Sequence, residues 1–352
     1  MTERERFSRT FHHQEADRVP IIDNIWAGTS ERWFREGMPR NACWTDYFGI
    51  DLAPHIYVDN SPQYPYVVLE ENENTITYMS NWGVTMRVLK QTDATPELLD
   101  YTVTDSNSWE ECKRRMYAGE NRINWNWLKE AYPRYRAEDR WITGDFWFGF
   151  DVTHSHMMGT ENMLIAMYEE PEMVMDMFDT YLNRSIELMN EVWDAGYHFD
   201  SIFWYDDMGY KGTTFFSVDM YRELLKPFHK RAVQWAHDRG IYAHLHSCGN
   251  IMTLIDDLVD IGIDALNPIE VKAGMDPFIL KEKYGDKLVL HGGINAVLWS
   301  DTEAVLDEIG KIVPVLKENS GYIFSSDHSI HSDVSLETYR KIIAEVKKVG
   351  AY

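Results

Sequence analysis

Short apolar runs rich in β-branched and aromatic residues recur through the second half of the chain: "RWITGDFWFG", "DSIFWYDDMG", "GIYAHLHSCG", "IDALNPIE", "KLVLHGGIN" and "GYIFSSDHS". Stretches of helical period lie between most of them, and this alternation is what most restricts the fold. A strand that leads through a helix to the next strand must lie parallel to it, because the helix carries the chain back across the sheet. The helices can be read one by one. "EEPEMVMDMFDTYLNRSIELMNEVWDAG" spaces Val174, Phe178, Tyr181, Ile186, Met189 and Trp193 roughly three or four residues apart, with Pro171 in its first turn and Gly196 at its end. A second helix is expected from Ser217, an N-cap, to Gly240, kinked at Pro227, and "MTLIDDLVDIG" gives a third.

With "DRVPIIDNIW" as an early strand, the pattern predicts an α/β fold, a (β/α)8 TIM barrel over residues 1–352 as a single domain. The doubly wound alternative loses ground because no G-x-G-x-x-G follows a strand. Residues 55–130 break the rhythm. "YPYVVLEENENTITYMSNWGVTMRVLKQT" alternates apolar and polar residues around the turn-like "EENEN" and "SNWG", which predicts an inserted segment of antiparallel β-hairpins, a cap.

A hydrophobic share of 44% supports a large core, and a net charge of -23 would repel nucleic acid and anionic lipid. The N-terminal stretch has no apolar leader region and no run approaches a membrane span, so a cytoplasmic protein is expected. Cys43, Cys112 and Cys248 are too scattered for a disulfide framework and suit a reducing compartment.

In a β/α barrel the chemistry sits at the carboxyl ends of the strands, where the loops converge. The expected strands end in Asp145, in Asp206 and Asp207, in His246 and Cys248, in Glu270, in His291, and in Asp327 and His328. For a single residue a helix N-cap explains a carboxylate equally well, but not for the whole set. Zinc gives the set a reason. Residues i and i+2 of a strand face one side, so His246 and Cys248 can meet one ion, and Glu270 and His328 from later strand ends complete four ligands. His244 would join only by reaching the mouth, and His154 and His156 are reserve ligands. Trp147 and Tyr205 are candidate walls for a flat substrate, with Asp145 and Asp206 as further substrate contacts. His291 is a candidate catalytic or supporting histidine.

At these residues a resemblance appears. H-x-C, a glutamate twenty-two residues past the cysteine and a ligand near the last strand resemble the zinc site of cobalamin-independent methionine synthase and of corrinoid-protein methyltransferases. The wider layout, "ADRVPI", "HSCGN", "NPIEVKAGMD", "KYGDKLVLHGGIN" and "SDHSIHSDVSLETYRKII", is similar to the uroporphyrinogen decarboxylase superfamily. The resemblance implies a barrel, zinc, and a corrinoid (cobalamin) carried by a partner protein. The chain departs from true decarboxylases in lacking their N-terminal arginine-rich segment, although Arg32 and Arg35 are present. It departs from thiol methyltransferases in placing His328 where those commonly have cysteine.

An N/O-rich ligand set leaves zinc more electrophilic and favours polarising an oxygen over activating a thiol. The expected function is therefore transfer of a methyl group from a small methylated substrate, a methoxylated aromatic compound or methanol, to a corrinoid protein, with Asp207 as general acid. The rivals are a metal-independent decarboxylase or lyase using Asp207 and His328, and a non-catalytic small-ligand-binding protein.

Overall fold

The computed structural model describes residues 1–90 and 94–352. Strand β1 (His55–Ile56) is followed by β2 (Val67–Glu71), β3 (Thr75–Met79), β4 (Thr85–Leu89) and β5 (Glu97–Asp100). Next come β6 (Thr143–Phe146), β7 (Ser201–Tyr205), the short hairpin of β8 (Gly209–Tyr210) and β9 (Thr213–Thr214), and then β10 (Tyr242–His246), β11 (Ala265–Ile269), β12 (Val289–Gly292) and β13 (Tyr322–Ile323). Among the described residues β1, β6, β7, β10, β11, β12 and β13 form one parallel sheet in that order.

The expected early strand "DRVPIIDNIW" closes the ring. On one flank Phe324 N–H donates to Pro20 O at 2.8 Å and Ile22 N–H to Phe324 O at 3.0 Å. On the other, Asp51 N–H donates to Ile21 O at 3.0 Å, and the chain runs on into β1. The Asp51 carboxylate fastens this seam, accepting from Ile21 N–H at 2.8 Å and pairing with Arg6 at 2.6 Å and Arg18 at 2.7 Å. The fold is thus the predicted barrel, with residues 20–22 as its eighth stave.

The antiparallel hairpins of the insertion are present as the sheet β2–β3–β4–β5. The stretch 55–130 nevertheless begins with a barrel strand, since His55–Ile56 pairs with β6. A two-residue strand is too short to show a period. The helix expected from Ser217 has that residue as its N-cap, accepting from Met220 N–H at 3.2 Å. The chain passes through a π turn, Tyr221–Leu225, before Lys226–His237 resumes the α-helix, so the irregularity falls just ahead of Pro227.

Side-chain alternation sorts each barrel strand into an outer and an inner face. In β10, Ala243 and Leu245 are fully buried in the main core under the helices, while His244 and His246 face the barrel interior. The amino-terminal end of the barrel is plugged by the helix Glu3–Phe11. Its Phe7 and Phe11 stack on Trp141 at 5.5 and 5.2 Å, and Phe11 on Tyr242 at 4.6 Å, in a separate apolar cluster with Ala265, Val289 and Ile323. No helix among the described residues is long and apolar enough to cross a membrane.

Candidate active site

Above this plug a cavity of about 620 Å³ opens toward the carboxyl ends of the strands. Its wall includes His246, Cys248 and Asp207, whose donor atoms all lie within 4.8 Å of one another. Two glycines account for the meeting. Gly249 has φ +81° and Gly209 lies against it so closely that a Cβ on Gly249 would stand 2.1 Å from the Gly209 carbonyl carbon. The two loops are sewn together by Gly209 N–H to Cys248 O at 3.1 Å and Asn250 N–H to Tyr210 O at 3.0 Å. Cys248 N–H then donates to Asp207 Oδ1 at 2.7 Å.

His246 is oriented from behind. Its Nδ1 lies 2.6 Å from Asn267 Oδ1, which can only accept, so Nδ1 donates there and Nε2 is the nitrogen turned toward Cys248 and Asp207. Nε2 is 3.4 Å from Cys248 Sγ and 3.6 Å from Asp207 Oδ1. Burial, then the Asp207 and Glu270 carboxylates, push the Cys248 thiol well above its usual range. Burial likewise raises the Asp207 carboxyl, which the neighbouring His246 partly counters. A thiol, a carboxylate and an imidazole converging in one half-buried place are a donor set suited to a positive ion.

The other expected site residues fall in different places. Glu270 and His328 stand outside the 4.8 Å group among the described residues. Glu270 Oε2 accepts from Gly249 N–H at 2.5 Å and Oε1 lies 3.6 Å from Lys272 Nζ. His328 lines the cavity in a cluster of three rings with Trp26 at 6.2 Å and His331 at 5.6 Å, with its Nδ1 buried and without a partner. Tyr205 also lines the cavity.

Asp206 points the other way. It is completely buried and accepts from Asp151 N–H at 2.7 Å, with His229 Nε2 at 2.7 Å, so it fastens outer layers of the fold instead of facing substrate. Trp147 clusters with Trp82, in the turn between β3 and β4, at 5.3 Å and with His156 at 5.5 Å, and is not among the residues lining the cavity. His154 lies in a π turn with its Nδ1 3.0 Å from Thr160 Oγ1, and 3.6 Å from Asp151 through Nε2. His244 and His291 pair in the barrel interior at 3.4 Å, where burial pushes His291 down to about 3, so its ring is neutral near pH 7.

One pair escaped the sequence reading. His55 lines the cavity, and its Nδ1 lies 2.6 Å from Asp145 Oδ1 on the adjoining strand. Asp145 itself is buried behind it, with Oδ2 lacking a partner. Burial opposes a charged His55 ring, but the Asp145 carboxylate outweighs it and holds the pKa above its usual value.

Fold and site together define a β/α-barrel protein with a polar, ligand-sized well at its strand ends. The chain belongs to the uroporphyrinogen decarboxylase family, whose model, "Uroporphyrinogen decarboxylase (URO-D)", matches residues 151–349. It is similar to the uroporphyrinogen decarboxylase of Helicobacter pylori (strain P12), 28% identical over 186 residues that cover 50% of this chain and 49% of that protein. The uroporphyrinogen decarboxylase of Chlorobium limicola is 26% identical over 211 residues, 55% of each chain. The chain thus spans about half the length of the curated relatives it matches. Among solved structures, a methyltransferase from Methanosarcina mazei superposes over 99% of both chains with a TM-score of 0.63 at 17% identity, which extends the shared fold over the whole molecule.

Proposed function

We propose that the protein is a zinc-dependent methyltransferase that moves a methyl group from a small methoxylated aromatic substrate to a corrinoid carried by a partner protein. The reading rests on one observation, the convergence of Asp207, His246 and Cys248 at the strand ends. These residues fit a zinc ion: an oriented imidazole lone pair, a thiol and a carboxylate, whose two negative charges would balance the 2+ charge. His328, on the last strand end, would add a fourth, neutral donor, and Glu270, on the strand end after that of Cys248, is the alternative carboxylate. Bound there, zinc would act as a Lewis acid toward the oxygen that carries the methyl group.

The chain's own side chains do the rest. Asn267 fixes the His246 tautomer. Phe203 and Tyr205 give a flat substrate an aromatic wall, and the plugged barrel end keeps bulk water from below. The decarboxylase activity of the named relatives fits the cavity less well, because a polycarboxylated substrate would meet no lysine or arginine among the described residues lining it.

Protein purified without chelator should carry about one zinc per chain, and Cys248→Ala should lose most of it while staying folded. Methyl transfer is followed by the absorbance change of a reduced corrinoid protein with a panel of methyl ethers. Zinc-free protein that also fails to take up added zinc would refute the reading.

A further inference from the structure

Even with a Lewis acid at its oxygen, the proposed reaction ends with a proton to be delivered. Breaking an ether C–O bond puts an electron pair on the leaving oxygen, and the cavity that would hold it has Asp207 and Asp327 and, among the described residues, no lysine or arginine on its wall. An aryl oxide is a poor leaving group until something neutralises it. Asp207 is badly placed to give the proton, since its Oδ1 accepts from Cys248 N–H and lies in the donor group with His246.

His55 has what Asp207 lacks. Its side chain is 25% exposed, on the cavity wall, while Asp145 behind it is almost fully enclosed. With Nδ1 held at 2.6 Å by the carboxylate, Nε2 is the atom left for a ligand. The ring is braced against Tyr57 at 5.8 Å and edge-on to Phe203 at 5.6 Å. His246 touches the same Phe203 ring at 6.0 Å, so one aromatic side chain separates the imidazole of this pair from the donor group. A buried carboxylate that orients a histidine, whose far nitrogen faces a well, is the arrangement of a general acid or base.

We propose that His55, positioned by Asp145, is the acid that protonates the leaving oxygen of the methyl donor; the proposal rests on the methyltransferase reading above. The methyl carbon's bond to oxygen breaks and its electron pair stays on oxygen. The reduced corrinoid of the partner, as nucleophile, supplies both electrons of the new carbon–cobalt bond. The His55 Nε2 proton passes to the oxygen, giving a neutral phenol, and solvent returns a proton to the imidazole. The charged and titratable groups that face His55 are Asp145 from β6, Tyr57 from its own segment and His244 from β10.

The test uses two donors alike in size, 4-methylanisole and 4-nitroanisole, whose leaving oxygens differ in their need for a proton. His55→Gln should lose about 100-fold on 4-methylanisole, the range general acid catalysis supplies, and far less on 4-nitroanisole, so that the ratio of the two rates changes by at least about 10-fold. Zinc content and the melting curve of the variant are measured alongside. In the native enzyme the rate with 4-methylanisole should fall as pH rises through the His55 pKa, with a shallower fall for 4-nitroanisole, and this holds even if the variant does not fold. Asp145→Asn, a positioning change, should move that falling limb to lower pH. Equal losses on both donors, or identical pH profiles for both, would overturn the assignment of His55 while leaving the methyltransferase reading intact. A native enzyme inactive on both donors, with corrinoid protein and zinc present, would overturn the reading and the acid together.

Discussion

Asp207→Asn isolates the charge of one donor. Asparagine keeps the oxygen that accepts from Cys248 N–H at 2.7 Å, so the loop that carries it has no reason to move. What changes is the attraction between a carboxylate and a 2+ ion. At about 4 Å and an effective dielectric near 20, that attraction is about 8 kcal/mol before any cost is counted. Burial, the largest influence on Asp207, already penalises its charged form and offsets most of this. A net loss of about 1.4 to 2.8 kcal/mol, 10- to 100-fold in zinc affinity, is the expected outcome. Competition against a chromophoric chelator at fixed pH measures it, with the metal-free melting temperature as control. Zinc affinity equal to the native protein's would refute Asp207 as a donor and leave the carboxylate role to Glu270.

Gly249→Ala should cost about 3 kcal/mol and lower zinc affinity as well, because a Cβ 2.1 Å from the Gly209 carbonyl carbon at φ +81° must push the Asp207 loop away; chemical denaturation and the same competition read both. Asp23 gives a pH signature. Burial pushes its carboxyl up to about 7, so between about pH 4 and 7 the unfolded chain releases this proton while the folded chain keeps it. This group therefore makes stability fall as pH rises through that window, by up to about 4 kcal/mol. Asp23→Asn, with the Tyr339 hydroxyl at 3.0 Å free to adjust, should gain on the native protein between pH 5 and pH 8 in paired urea titrations, and a constant difference would contradict the assignment.

The barrel was legible because parallel strands buried on both faces leave continuous apolar runs that helices separate, as "DSIFWY" and "AHLH" do. The alternation of strand side chains also held a signal that went unused. Phe203, Tyr205 and Asp207 share one parity and face the cavity, whereas Trp204 and Asp206 share the other and are completely buried, so the two adjacent aspartates were separable on sequence alone. The pair His55–Asp145 was not. It joins residues 90 apart across the whole inserted sheet, and depends on β1 lying beside β6, which no local pattern records. The meeting of Asp207 with Cys248 was hidden for a related reason, since two glycines in separate loops reveal their contact only once the loops are folded together.

If the proposed function holds, the Phe7 and Phe11 plug would also order its events. With the amino-terminal end of the barrel filled by stacked rings, the well is open toward the strand ends, and whatever occupies that mouth would block traffic behind it. A small donor and a protein-borne acceptor would then not arrive from opposite sides. On the methyltransferase reading, the donor would have to be seated before a large partner covers the mouth, and its demethylated remnant would leave only after that partner has moved away.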